Sequence, residues 1–138
     1  MRAKILAPLL LFCQAAFAGG NAELVERFVS AFNQQDVGAM LEFSAPDIRW
    51  MSVSGDRIST ETSTHAELRD AMAGYFENTP DARAEIRSIS ESGQFVHTLE
   101  QAFWISGSTE RSQCSMAVYE LHDGKLQNVW YFPAHECP

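Results

Sequence analysis

Apolar residues recur at helical spacing near the start of this chain and at alternate positions over its second half. Leu24, Val25, Phe28, Val29, Ala31 and Phe32 fall on one helical stripe between residues 21 and 33, and Asn21 can cap that helix with its side-chain oxygen. Asp36 predicts the N-cap of a second, shorter helix carrying Met40, Leu41 and Phe43, which must end before Pro46. Residues 47–53 predict a strand with Ile48, Trp50 and Met51 prominent; Ser54-Gly55-Asp56 is turn chemistry, and residues 57–62 predict a short return strand. Thr64-His65-Ala66-Glu67 is a capping box for a third helix, with Leu68, Ala71, Met72, Tyr75 and Phe76 on one side. Asn78-Thr79-Pro80 stops it. The period then changes to two. Residues 84–90, 95–106, 110–121 and 125–132 read as strands, divided by Ser92-Gly93, Gly107-Ser108 and Asp123-Gly124. The pattern predicts an α+β domain, with helices on one face of a curved antiparallel sheet.

The N-terminus changes the accounting. Residues 1–18 read as a secretory signal: Met1-Arg2-Ala3-Lys4 is positive, Ile5 to Phe12 is apolar, and Ala16-Phe17-Ala18 offers small residues at a cleavage site. The apolar run is too short to span a bilayer as an anchor. Cleavage after Ala18 leaves a domain of residues 19–138 and places it in the periplasm or the medium. The full chain carries 10 Lys+Arg against 18 Asp+Glu, a net charge of −8; removal of Arg2 and Lys4 makes it 8 − 18 = −10. Such acidity argues against nucleic acid or an anionic membrane as a partner, because both are bound through basic patches. The 46% hydrophobic content argues against disorder. Cleavage also removes Cys13 and leaves Cys114 and Cys137, an even count that points to a disulfide in an exported chain, with two free thiols as the alternative. A metal site at His135 and Cys137 would have only two local ligands, so no metal and no cofactor are expected.

The order of elements, together with particular residues, resembles a known superfamily. Glu26-Arg27-Phe28-Val29-Ser30-Ala31-Phe32-Asn33-Gln34-Gln35-Asp36 and Pro46-Asp47-Ile48-Arg49-Trp50 are similar to the start of a nuclear transport factor 2-like, or SnoaL-like, domain. Val118-Tyr119-Glu120-Leu121-His122-Asp123-Gly124-Lys125-Leu126 and Val129-Trp130-Tyr131-Phe132-Pro133-Ala134 are similar to its end. The resemblance implies a cone-shaped curved antiparallel sheet wrapped around three helices, with a pocket at the wide end. It implies much less about function, since the superfamily holds isomerases, epoxide hydrolases, polyketide cyclases, dehydratases and non-enzymatic binding proteins. In the ketosteroid isomerase branch, matching elements places Phe28 at the tyrosine, Met51 near the aspartate base and Ala117 at the second acid, so all three roles are empty. The Asp-Arg-Asp group of the epoxide hydrolase branch has no place on these strands. His97 and Glu100 are the nearest acid/base candidates for cyclase chemistry.

The long hairpin supplies the candidate site. With Gly107-Ser108 as a two-residue turn, Trp104 lies across from Arg111, Ala102 from Gln113, Glu100 from Ser115, Thr98 from Ala117 and Val96 from Tyr119. One face then carries Glu100, Trp104, Arg111, Gln113 and Tyr119; the other carries Phe95, Leu99, Phe103, Ile105, Met116 and Val118. The polar face as pocket wall leaves the apolar one to be covered by a second subunit, whereas a one-residue shift in the turn inverts the two. Trp50 belongs either to the pocket or to the core, and His97 falls on the apolar face as a packing residue. His65 reads as surface and His122 as a turn residue.

Trp50, Glu100, Trp104, Arg111, Tyr119 and Tyr131 are therefore the expected ligand-binding set. Three readings follow: binding of a small, largely apolar molecule in the cone; an isomerase, dehydratase or hydrolase using Glu100 or His97 with Tyr119 or Tyr131; and an interaction module acting through its sheet face. Paired titratable groups in the pocket would favour the enzyme, an apolar cavity the binding protein, and a filled cone the interaction module. The Cys114–Cys137 bridge faces a problem of reach. A two-residue Asp123-Gly124 turn puts Cys114 opposite Pro133, four residues short of Cys137, and a bulged turn puts it opposite Phe132. The tail must fold back over the outer face, where it would compete with a dimer partner.

Overall fold

The computed structural model describes residues 20–138, so the signal segment and Cys13 lie outside the described residues. Helix α1 spans Asn21–Asn33 and buries Val25, Phe28, Val29 and Ala31. Its cap differs from the expectation. Gly20 is the N-cap, and the first free N–H groups are satisfied by a residue distant in sequence: Glu91 accepts from Asn21 N at 3.4 Å and from Ala22 N at 2.9 Å. Asn21 instead donates its side-chain amide to the Gly93 carbonyl. A carboxylate at a helix N-terminus answers both the orphan donors and the dipole. Glu91→Ala is expected to cost about 1 kcal/mol of stability, read as a lower urea midpoint with an unchanged slope.

Asp36 caps α2 (Val37–Glu42) by accepting from Ala39 N at 2.9 Å. Thr64 caps α3 (His65–Asn78) by accepting from Glu67 N, and Glu67 returns the bond to Ser63 N, one residue before the cap. His65 is not a free surface residue. It is half-buried and its Nε2 lies 2.8 Å from the Ser44 carbonyl, tying the start of α3 to the first strand.

Six strands form one sheet: β1 (Ser44–Ser54), β2 (Arg57–Thr62), β3 (Arg83–Ser92), β4 (Phe95–Ser106), β5 (Thr109–His122) and β6 (Lys125–Tyr131). Their order is β2-β1-β6-β5-β4-β3. The expected antiparallel pairing holds at every seam except one: β1 and β6 run parallel, so the sheet is mixed. The four hairpins all turn in two residues. At Asp123-Gly124 both central residues have positive φ, 50° and 71°, the primed geometry that matches strand twist. The β4–β5 register is the predicted one, Glu100 facing Ser115 and Val96 facing Tyr119.

The face carrying Val96, Thr98, Glu100, Ala117 and Tyr119 is buried against the helices. The apolar face is the outer one, and Phe95, Ile105 and Met116 remain exposed on it. Beyond β6 the tail stays beside β5. Phe132 N donates to Met116 O, and Cys114 and His135 exchange both backbone hydrogen bonds. Two displacements make this possible. One is an extra residue on β6 between Leu126 and Asn128; the other lies between Phe132 and His135. Cys137 thus lies two residues past the partner of Cys114 rather than four. The disulfide Cys114–Cys137 forms, with Cα atoms 5.0 Å apart. It pins the tail to the outer surface and leaves Cys114 fully buried.

Candidate functional site

Between α1, α3 and the inner face of the sheet lies a cavity of about 250 Å³. Its walls follow from alternation: Glu100 and Ala102 on β4, Ser115 and Tyr119 on β5, and Tyr131 on β6 all point inward. Phe28, Val29 and Phe32 close it from α1, and Met72 and Tyr75 from α3. The lining rings fall into two contacting groups, Phe28, Trp50, Tyr131 and Tyr119 in one and Phe32 and Tyr75 in the other. Trp50 stacks on Tyr131 with centroids 5.2 Å apart and planes 17° from parallel, and Phe28 lies 5.8 Å from Trp50.

One polar cluster interrupts this apolar wall. Glu100, only 6% exposed, accepts at Oε1 from Thr98 Oγ1 at 2.7 Å and from the Tyr119 hydroxyl at 2.6 Å. Tyr131 donates to Oε2, and the two phenolic oxygens are 2.9 Å apart. Burial, reinforced by the neighbouring Glu100 carboxylate, pushes both the Tyr119 and Tyr131 phenols well above the usual tyrosine range. Both are therefore protonated hydrogen-bond partners at neutral pH. Burial also raises Tyr75, at the helix wall.

Of the six expected ligand-binding residues, Trp50, Glu100, Tyr119 and Tyr131 line the cavity. Trp104 and Arg111 do not. They face each other further along the hairpin, Trp104 half-buried and Arg111 exposed. The reason is length. The 12-residue β4 extends roughly 40 Å at strand rise, whereas the 13-residue α1 packed on it reaches only about 20 Å. The inner face of the hairpin thus outruns its cover, and Arg111 stands well away from Glu100. His97 lies on the outer face and bonds Ser90 Oγ at 2.9 Å, apart from the cavity. His122 is exposed and contacts Glu120. Among the described residues, no group of three or more His, Cys, Asp or Glu is placed to hold a metal.

Phe28, the residue at the matched tyrosine position, lines the cavity; Ala117 is buried in the core; and Trp50, rather than Met51, faces the site from β1. Thr98 was missed as a site residue. Its signal was position: it precedes Glu100 by two on the same strand face. The helix residues Val29, Phe32, Met72 and Tyr75 read as core stripe, and no local signal separates stripe from cavity wall.

The model of the SnoaL-like domain matches residues 25–129. The chain belongs to the SnoaL-like family. A search of curated proteins finds no match. Among solved structures, an uncharacterized cystatin-fold protein from Novosphingobium aromaticivorans is similar to this SnoaL-like chain with a TM-score of 0.73 at 22% identity, over 83% of this chain and 99% of that one. IdmH from Streptomyces antibioticus, described as a candidate polyketide cyclase, gives 0.68 at 17% identity over 82% and 91%. TerC, co-crystallized with polyporic acid, gives 0.69 at 20% over 80% and 88%. At such identities the likeness is one of fold.

Proposed function

We propose that this SnoaL-like protein binds a compact, largely apolar molecule in its cone, with the ligand's polar group at Glu100, Tyr119 and Tyr131. The observation that carries this reading is the Glu100 cluster set in a largely apolar cavity rich in aromatic rings, because few convergent polar groups in an apolar pocket orient a ligand. The open cavity removes the ground for a filled, purely interacting cone. The test is native mass spectrometry of the protein after incubation with a metabolite extract. A retained small molecule that Trp50→Ala releases supports the reading; a protein that emerges bare from every extract sinks it.

A second reading has its own observation. Glu100 is a buried carboxylate flanked by two phenols that keep their protons; once the carboxylate takes a substrate proton, a phenol released from it donates to the developing oxyanion. If chemistry occurs, Glu100→Gln abolishes turnover and leaves affinity within a few-fold.

We also propose export after cleavage at Ala18 and a homodimer through the outer sheet face. The disulfide, and the lack among the described residues of any helix long and apolar enough to cross a membrane, support export. Phe95, Ile105 and Met116 support a covered face. Sedimentation at micromolar concentration is expected to give the mass of two chains, and the mass of one chain would refute the dimer.

A further inference from the structure

The cavity has a chemical polarity that narrows its ligand, given the binding role proposed above. Three oxygen–oxygen contacts close a ring: Tyr119 to Glu100, Tyr131 to Glu100, and Tyr119 to Tyr131. The two phenols bring only two protons to these three contacts, and the Thr98 proton is already directed at Oε1. No proton of the cluster remains to point at a ligand. It presents lone pairs alone.

The rest of the lining reinforces this asymmetry. Six aromatic rings face the cavity, those of Phe28, Phe32, Trp50, Tyr75, Tyr119 and Tyr131, while no Lys, Arg or His lines it. The negative faces of such rings attract a cation, and a carboxylate completes the site. Ser115, across the strand pair from Glu100, can donate or accept and selects neither way. At a net charge of −8, the whole chain also draws cations toward it. A carboxylate or phosphate ligand would meet a carboxylate with no compensating cation. A ketone would find no donor in the cluster.

We infer that the pocket is built for a compact aromatic or alicyclic amine, bound as its ammonium ion with the nitrogen donating to Glu100 and the Tyr131 oxygen and the hydrocarbon body among the rings. A primary ammonium brings three donors to a cluster that has none to spare, and its desolvation is offset by the carboxylate and the aromatic lining.

Three probes on one bicyclic skeleton test this: naphthylmethylamine, naphthylmethanol and naphthoate, titrated calorimetrically into the oxidised wild-type protein at neutral pH. The amine is expected to bind at least about tenfold more tightly than the alcohol, with naphthoate weakest. Glu100→Gln should erase the difference between amine and alcohol, while Glu26→Gln, which removes an exposed charge on α1, should preserve it. Equal or tighter binding of the alcohol or naphthoate by wild type overturns the inference and leaves the small-molecule reading standing. An equal loss of amine affinity in Glu26→Gln also overturns it, because the preference would then come from overall charge. If none of the three binds, the inference falls, while the binding role itself is decided by the metabolite-extract experiment. The wild-type ratio decides the matter even if Glu100→Gln fails to fold.

Discussion

Replacing Cys137 with serine is expected to lower the folding free energy by about 3 kcal/mol, the chain entropy released when a loop of this size opens. The bridge joins residues 23 apart and holds the tail beyond β6, residues 132–138, against β5, where only the Phe132 bond and the Cys114–His135 pair otherwise fix it. The serine variant keeps the Cys114 side chain on β5, so the loss reports the cross-link and its hold on the tail. Urea unfolding of the wild type with and without reductant should reproduce the same loss. Coincident curves would show that the bridge contributes nothing. Thiol labelling of the denatured, unreduced chain of residues 19–138, which lacks Cys13, should find no reactive cysteine, and two per chain would eliminate the bridge outright. The variant bears on assembly as well. In the dimer proposed above, the pinned tail would share the outer face with the second subunit, so a freed tail is expected to change the dimerisation constant.

Alkaline pH is expected to destabilise the protein steeply from about pH 10 upward. The sign follows from proton counts. In the unfolded chain Tyr119 and Tyr131 ionise near the ordinary value of 10.0, whereas burial and Glu100 hold both folded phenols well above it. Over that window the unfolded state binds fewer protons, so stability is intact below pH 10 and falls as pH rises toward the folded values. Fully buried Tyr119 contributes up to about 1.4 kcal/mol per pH unit; half-buried Tyr131 contributes less. Urea midpoints between about pH 9 and pH 11 measure the slope, and Tyr119→Phe should reduce it by about one proton's worth. A flat wild-type profile would mean that the phenols ionise freely and that the cluster is open to solvent.

Much of this fold was legible because local chemistry and global pairing agree. Asp36 and Thr64 cap the helices that their sequence contexts announce, and Gly107-Ser108 sets every partner along β4 and β5. The choice of inner face was not legible from alternation, since either face of that hairpin could cover a helix. The bulges were partly written in the chain. Leu126, Val129 and Tyr131 are spaced three and then two, as are Ile86 and Ile89 against the period of β3, and an extra residue in each strand brings them all to the inner side. Those spacings are a signal that strict alternation overlooks. The β6 bulge also helped to bring Cys137 within reach of Cys114.

By itself, the sequence determined the family, the helices, the β4–β5 register and the presence of Trp50, Glu100, Tyr119 and Tyr131 as candidates. These depend on contacts between near neighbours in the chain or across a two-residue turn, where geometry leaves few choices. Tertiary structure alone decided that β6 lies parallel to β1, that Glu91 caps α1 from 70 residues away, and that Trp104 and Arg111 fall outside the cavity. It also decided that Glu100, Tyr119 and Tyr131 close one ring of oxygen contacts. Each of these depends on how far a curved sheet extends past the helices it covers and on which strand ends meet, and both are set by packing among distant parts of the chain.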